Sequence, residues 1–373
     1  MLIGVDASRV TRKQRTGTEN YSLHVVERLL ALDQSNSYRL YLREPLPAGL
    51  LPQGSNVGTR VIRLPRLWTQ LGLTTEMLLH APDVLFVPSH VLPLVAPRRS
   101  VVVVYDVGHR FFPRAHTLSE WMYVEWAIRR HVRLATALLT ISEASKRDLV
   151  RLYHADPRRI AVAYPAVDAD FAPQSADVVR RARERHSLPE RYVLHLGTIK
   201  PRKNLPRLIR AFANADLPSD VQLVLAGMTT FGGQAVARAV AQAGLQARVR
   251  YLAYVPQADL PALYSGASAV AIVSLYEGFG MPALEALACG APVVAGNRGS
   301  LPEIVSDAGV LVDPLDVGSI ATGLARVLND PALTARLRRD GPKRASAFDW
   351  ETATRVTLRT LEAAGHARQS PSA

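Results

Sequence analysis

Short apolar runs recur along the chain, and most are followed by a stretch whose apolar residues fall at helical spacing. Leu2–Val5, Tyr38–Leu42, Thr59–Leu64, Val84–Val87, Val101–Tyr105 and Leu138–Ile141 read as one set of strands. Tyr192–Leu196, Val221–Ala226, Val249–Leu252 and Ala267–Ser274 read as a second set. Between them, Tyr21, Leu23, Val25, Val26, Leu29 and Leu30 share one helical face, and Leu208, Ile209 and Phe212 share another. Continuous apolar runs alternating with amphipathic helices predict parallel sheets covered by helices on both faces, one sheet in each half of the chain.

The boundary between the halves falls where this pattern lapses. Pro173, Gln174, Ser175 and the charged segment Arg180–His186 precede the new apolar run at Tyr192. The expected division is a first domain over 1–170, a linker over 171–189, a second domain over 190–348, a last helix over 349–365 and a disordered tail over 366–373.

One stretch of the second half is organised differently from its neighbours. The strand Ala267–Ser274 runs into Tyr276-Glu277-Gly278-Phe279-Gly280-Met281, and Pro282 then suits the first position of a helix. Gly290 suits the left-handed stop of that helix, and Pro292 begins the next strand. Glu277 thereby falls at the carboxyl end of a parallel strand, where open α/β sheets bind ligands. The small residues of the turn admit a ligand to the backbone, and the helix start favours an anion such as a diphosphate. Carboxylates beside an anion site are better used as acceptors for neutral hydroxyls, which assigns Glu277 and Glu285 to a sugar and a ribose. Earlier in the same half, Arg202 and Lys203 precede the start of another helix, so two cations and a helix dipole converge there.

Composition narrows the class. The 373 residues exceed one typical core and fit two domains, with 48% hydrophobic and 21% charged residues as in globular proteins. The net charge of +13 points to polyanionic partners: nucleic acid, an anionic membrane surface or phosphorylated ligands. No zinc-ligand spacing and no RNA-recognition signature supports a nucleic-acid binder. The single Cys289 excludes an intramolecular disulfide and suits a cytoplasmic protein. The chain opens without a secretory signal pattern, and no apolar run reaches the roughly 18 residues of a membrane span. The stretch Trp121–Arg133 admits two readings. Trp121, Val124, Ile128 and Val132 line a core face while Arg129, Arg130 and Arg133 stay wet, or the helix leans on anionic lipid.

Gly278, Gly280 and Ala283 also satisfy the loose dinucleotide fingerprint, which keeps a nicotinamide oxidoreductase as an alternative. That fingerprint usually opens its domain, whereas here several strand and helix patterns come first. The pair Asp168 and Asp170 has the spacing of metal-binding aspartates, but such ions draw further oxygen ligands, and no metal is expected.

The segment EGFGMPALE, with Glu277 and Glu285 in the E-x7-E arrangement, and its continuation ACGAPVVAGNRGSLPEIVSDAGVLVDP resemble retaining glycosyltransferase family four. So does LLTISEASKRDLVRLYHADPRRIAVAYPAVD, and the loop GTIKPRKN is similar to that of O-antigen and exopolysaccharide mannosyltransferases. The resemblance implies an α/β fold of GT-B architecture, two Rossmann-like domains with parallel sheets facing a central cleft, the first binding the acceptor, the second the nucleotide-sugar donor, and the last helix crossing back to the first. It implies transfer of a hexosyl group, with mannose from GDP-mannose as first guess, from a nucleoside diphosphate sugar to a saccharide or polyprenyl-linked hydroxyl. The reaction would be retaining and metal-independent, with no cofactor, and the leaving phosphate would help deprotonate the acceptor on the same face. A sugar-nucleotide epimerase on the same fold is the nearest alternative.

By the same resemblance, Glu277, Lys203 and Arg202 are catalytic. Gly17, Gly197, Thr198, Gly278, Phe279, Gly280, Met281 and Glu285 bind the donor, and Asp106 serves the acceptor. The sequence departs from the family's pattern at Glu19, where a second glycine is common, at Thr198, where arginine is common, and at Tyr105, where histidine usually precedes the aspartate. The nearby His109 is left without an assigned role. Cell-surface polysaccharide synthesis would place the enzyme in the cytoplasm with peripheral contact on the inner face of the membrane, and no nucleic acid is expected as a partner.

Overall fold

Strands pair edge to edge to satisfy their backbone groups, and helices cover the apolar faces. In the computed structural model, which describes residues 1–12, 17–89, 91–228 and 232–367, the runs assemble into two all-parallel sheets. The chain divides into two compact units: Met1–His109 with His116–Pro165 and Asp349–Ala373, and Arg110–Ala115 with Ala166–Phe348.

Unit 1 holds strands β1 Leu2–Asp6, β2 Ser37–Leu42, β3 Val57–Val61, β4 Val84–Val87, β5 Ser100–Val103, β6 Ala137–Thr140 and β7 Ile160–Val162. Their spatial order is β3-β2-β1-β4-β5-β6-β7. Unit 2 holds β8 Tyr192–Leu196, β9 Gln222–Ala226, β10 Val249–Leu252, β11 Ala269–Ile272, β12 Val293–Gly296 and β13 Val310–Val312, in the order β10-β9-β8-β11-β12-β13. In both sheets the winding direction reverses at one place, between β1 and β4 and between β8 and β11. Crevices outside the carboxyl ends of strands at such switch points are where doubly wound sheets take their ligands.

Helices close both faces. In unit 2 the helix Leu205–Asn214 lays Leu205, Leu208, Ile209 and Phe212, all buried, against the sheet. Burying each such side chain is worth about 1.5–3 kcal/mol. In unit 1 the helix Leu118–Leu134 begins with a capping box between Thr117 and Glu120 and packs Val124, Ile128 and Val132 onto the core. Met122, Tyr123 and Trp126 on the same helix are exposed.

Two expectations are corrected. The expected linker 171–189 contains the helix Ala176–Arg185, which packs on the helix Leu260–Gly266 within unit 2. Only Ala182 of that helix is buried, so its charge content hid a helix that needs little apolar face. The expected tail begins too early, because the last helix runs Trp350–His366 and belongs to unit 1; residues 368–373 lie outside the described ones. Its Trp350 ring stacks on His24 at 4.6 Å between centroids. No described helix is long and apolar enough to cross a membrane.

Candidate active site

The site forms in unit 2 where β8 and β11 diverge. After β8 the chain passes Gly197 and Thr198 into the short turn Pro201–Lys203, and Asn204 takes a left-handed conformation to start the next helix. Asn204 is buried, and its Nδ2 donates to Val273 O at 3.1 Å and Pro314 O at 2.6 Å. Leu275 N donates to Arg202 O at 2.8 Å. These bonds fasten the basic turn to the end of β11, so Arg202 and Lys203 meet Glu277 although they are far apart in sequence.

Glu277 is buried and paired at both oxygens. Lys203 Nζ lies 2.6 Å from Oε1, and Arg202 Nη1 lies 2.6 Å from Oε2. Arg202 Nη1 also donates to Tyr276 O at 3.1 Å. Burial alone would raise the pKa of Glu277, but the charges of Lys203 and Arg202 outweigh it and hold the carboxyl at about 2. A carboxylate held ionised by two cations is a poor proton acceptor, and its oxygens can still accept from hydroxyl donors.

The turn after Glu277 is held from behind. Ser300 N donates to Glu277 O at 3.2 Å, and Ser300 Oγ lies 3.0 Å from Glu277 O and 2.5 Å from Phe279 O. Gly299, at φ 61°, lies so close that a Cβ there would stand 2.7 Å from Glu277 O. Gly280, at φ 100°, precedes the helix Met281–Ala288, whose start has no side-chain cap. The buried Phe279 ring meets Phe348 edge-on at 5.9 Å, and Tyr276 stacks on Phe111 at 4.6 Å.

Glu285, one turn into that helix, accepts from Tyr264 Oη at 2.7 Å. Burial and the neighbouring Asp168 carboxylate push its pKa up to about 7, with the Tyr264 bond and Lys203 opposing. The protonated carboxyl therefore favours the fold at low pH, and that contribution fades as pH rises through about 7. Asp168, read as half of a possible metal pair, lies on the Glu285 side and receives Gln257 Nε2 at 3.5 Å.

The structure thus gathers Glu277, Lys203, Arg202, Gly197, Thr198, Gly278, Phe279, Gly280, Met281 and Glu285 in unit 2. Gly17 and Asp106 belong to unit 1. Gly17 is an exposed first residue of the helix Gly17–Leu32, while Lys13, Arg15 and Thr16 of its loop lie outside the described residues. Glu19, at the position of the expected second glycine, is buried and pairs with Arg9 at 3.0 Å. Asp106 is exposed beyond β5 and accepts from Gly108 N at 2.8 Å. His109 turns inward: its Nε2 lies 3.0 Å from Glu125 Oε2, which also accepts from Tyr153 Oη at 2.7 Å.

Asn204, Gly299, Ser300 and Tyr264 are site supports that sequence reasoning missed. The helix break at Asn204 and the glycine after β12 are the signals that could have marked two of them.

Two parallel-sheet Rossmann-like units, with a basic turn and an acidic turn meeting at a switch point, define a GT-B protein. Residues 17–171 match the family model described as Glycosyltransferase Family 4, and residues 179–344 match that of Glycosyl transferases group 1. The O-antigen chain mannosyltransferase B of Escherichia coli is 32% identical over 263 residues, 70% of this chain and 69% of that protein. The D-inositol 3-phosphate glycosyltransferase of Salinispora tropica is 37% identical over 268 residues, 67% of this chain but 54% of that protein. The chain therefore spans little more than half the length of that relative.

Among solved structures, Anabaena HepE in complex with UDP and glucose superposes with a TM-score of 0.74 at 21% identity, covering 97% of this chain and 99% of that one. Sucrose-phosphate synthase from Thermosynechococcus elongatus gives 0.73 at 21% identity, covering 96% and 97%. At such identities the structural likeness bears on the fold alone. The chain belongs to the glycosyltransferases of family four and group 1.

Proposed function

We propose that this glycosyltransferase moves a hexosyl group, mannose from GDP-mannose as first assignment, from a nucleoside diphosphate sugar to a hydroxyl of a saccharide or lipid-linked saccharide. The reaction retains anomeric configuration, needs no metal and belongs to cell-surface polysaccharide synthesis. The observation that carries this reading is Glu277 clamped between Lys203 and Arg202 at the β8/β11 switch point. The mannosyl assignment is supported by the Escherichia coli relative named above.

As the bond to the leaving diphosphate breaks, negative charge grows on its oxygens while the sugar becomes oxocarbenium-like. Lys203, Arg202 and the first amides of the helix Met281–Ala288 stabilise that charge. Fixed cations and amides perform the electrostatic task a divalent ion would otherwise perform. Glu277 and the backbone of Gly278–Met281 hold the sugar hydroxyls, and Glu285 with Tyr264 holds the ribose. With Glu277 ion-paired at both oxygens, the proton of the acceptor hydroxyl passes to the leaving phosphate. Asp106 is assigned to the acceptor.

A thermal-shift screen against GDP-mannose, UDP-glucose, UDP-N-acetylglucosamine, dTDP-rhamnose and NADPH, with EDTA present, tests the donor class. A donor at about 100 times its dissociation constant adds roughly 2.7 kcal/mol to stability. One nucleotide sugar is expected to stabilise the protein. Stabilisation by NADPH alone, or by none of the five, contradicts the reading.

Unit 1 suits peripheral contact with an anionic membrane on the cytoplasmic side, where a lipid-linked acceptor would lie. Leu118, Met122, Tyr123 and Trp126 are exposed along one helix, which then borders a cavity of about 870 Å³ lined by Trp126, Arg129, Arg130, Arg133 and Arg159. Co-sedimentation with phosphatidylglycerol vesicles is expected at low salt and is lost as salt rises. Absence of binding at low salt overturns the membrane contact.

A further inference from the structure

The ladder between β8 and β11 is registered at Val193 and Leu194 and ends there, just before the switch-point crevice opens. His195, fully buried, fills the place where the strands part, and its Nδ1 lies 2.9 Å from Ala271 O. A carbonyl can only accept, so Nδ1 carries the proton. Burial and the nearby charge of Lys203 push the imidazole pKa down to about 4, which keeps the ring neutral and leaves Nε2 a bare lone pair.

That Nε2 is buried and has no hydrogen-bond partner among the described residues. It faces the Lys203 side of the crevice. A Cβ built on Gly197 would stand 3.5 Å from Lys203 Nζ and 4.0 Å from His195 Nε2, so the two nitrogens flank the same spot. An apolar side chain here would give up the bond to Ala271 O but would carry no stranded acceptor. The bond to Ala271 O accounts for Nδ1 and not for Nε2, whereas an ammonium with three N–H donors, one of them engaged by Glu277, accounts for an acceptor there.

We propose that His195 is a positioning residue for Lys203. When a donor diphosphate draws on the ammonium, His195 Nε2 accepts one of its N–H groups, directly or through one water, and so aims the remaining donors at Glu277 and the diphosphate. This rests on the donor reading above.

Two substitutions separate the roles of the two ring nitrogens. His195→Asn retains an N–H for Ala271 O and removes the acceptor at Nε2. His195→Gln places an amide at Nε2 and gives up Ala271. Calorimetric titrations with GDP, GMP, UDP and UMP measure the preference for diphosphate over monophosphate. His195→Asn is expected to lose about tenfold of that preference, the worth of one hydrogen bond to a charged group, while keeping the higher melting temperature of the two variants. His195→Gln is expected to melt lower yet keep the preference.

An unchanged preference in His195→Asn, or losses that follow melting temperature in both variants, overturns the proposal. The wild-type protein gives an answer even if a variant does not fold. With ¹⁵N-labelled histidine, the unprotonated Nε2 resonance of His195 must move on adding the diphosphate that binds and stay in place with its monophosphate, and a stationary resonance overturns the proposal. Failure of both diphosphates, and of dTDP, to bind the wild type removes the donor reading itself, and this proposal falls with it. Binding with a stationary resonance removes only His195.

Discussion

Replacing Lys203 by alanine is expected to lower kcat/KM for the sugar-nucleotide donor by about 10²–10³-fold, the usual cost of removing one preorganised donor from a site of developing negative charge. Lys203 is buried and approaches Glu277 at 2.6 Å, so the carboxylate fixes the position of the ammonium. Glu277 keeps its second partner, Arg202, at 2.6 Å, so the fold loses less than the chemistry does. Arginine does not replace Lys203. Its planar fork needs a different space from a compact ammonium beside Gly197, where a Cβ would stand 3.5 Å from Nζ, and Lys203→Arg is expected to rescue little of the rate. Initial rates at saturating and limiting donor check both variants.

Glu277 is the position where stability and activity fall together. Glu277→Ala strands a buried lysine, and breaking a buried pair from one side costs about 3–5 kcal/mol. Glu277→Gln keeps the shape and removes the charge, and it is expected to lose most turnover while remaining folded.

The sign of its pH dependence follows from the pKa of about 2, depressed from the usual carboxylate value. The folded state prefers the ionised form, so the stabilisation is fully present above about pH 5 and is lost as pH falls through 2. The shift corresponds to on the order of 3 kcal/mol. Urea unfolding of wild type and Glu277→Gln between pH 7 and pH 2 should show the gap narrowing as the solution becomes more acidic. A gap that is constant with pH, or full turnover by Glu277→Gln at saturating substrates, would remove Glu277 from this role.

The sheets were legible because strands buried on both faces leave continuous apolar runs, as at Val84–Val87 and Ala269–Ile272. The acidic turn was legible because Gly278, Gly280 and Pro282 punctuate it locally. Less visible was whatever depends on distant partners. Asn204 reads as an ordinary polar residue until its amide is seen to reach carbonyls 69 and 110 positions away. Gly299 and Ser300 matter because their loop lies against the backbone of Glu277, a contact no local period encodes.

The helix Ala176–Arg185 was read as a linker because a helix burying one alanine carries almost no apolar signal. His109, whose role the sequence leaves open, has its ring committed to Glu125 and Tyr153, partners 16 and 44 positions away that no local pattern encodes.

The most direct test of the account is a calorimetric titration of GDP against GMP, with UDP and UMP in parallel, on wild type and on Lys203→Ala. The wild type is expected to bind one nucleoside diphosphate at least about tenfold more tightly than its monophosphate, because charge-assisted bonds from Lys203 and Arg202 meet the second phosphate. Lys203→Ala is expected to lose most of that preference, the remainder coming from Arg202. Equal affinities in the wild type, or a preference undiminished in Lys203→Ala, would contradict a diphosphate site at this turn.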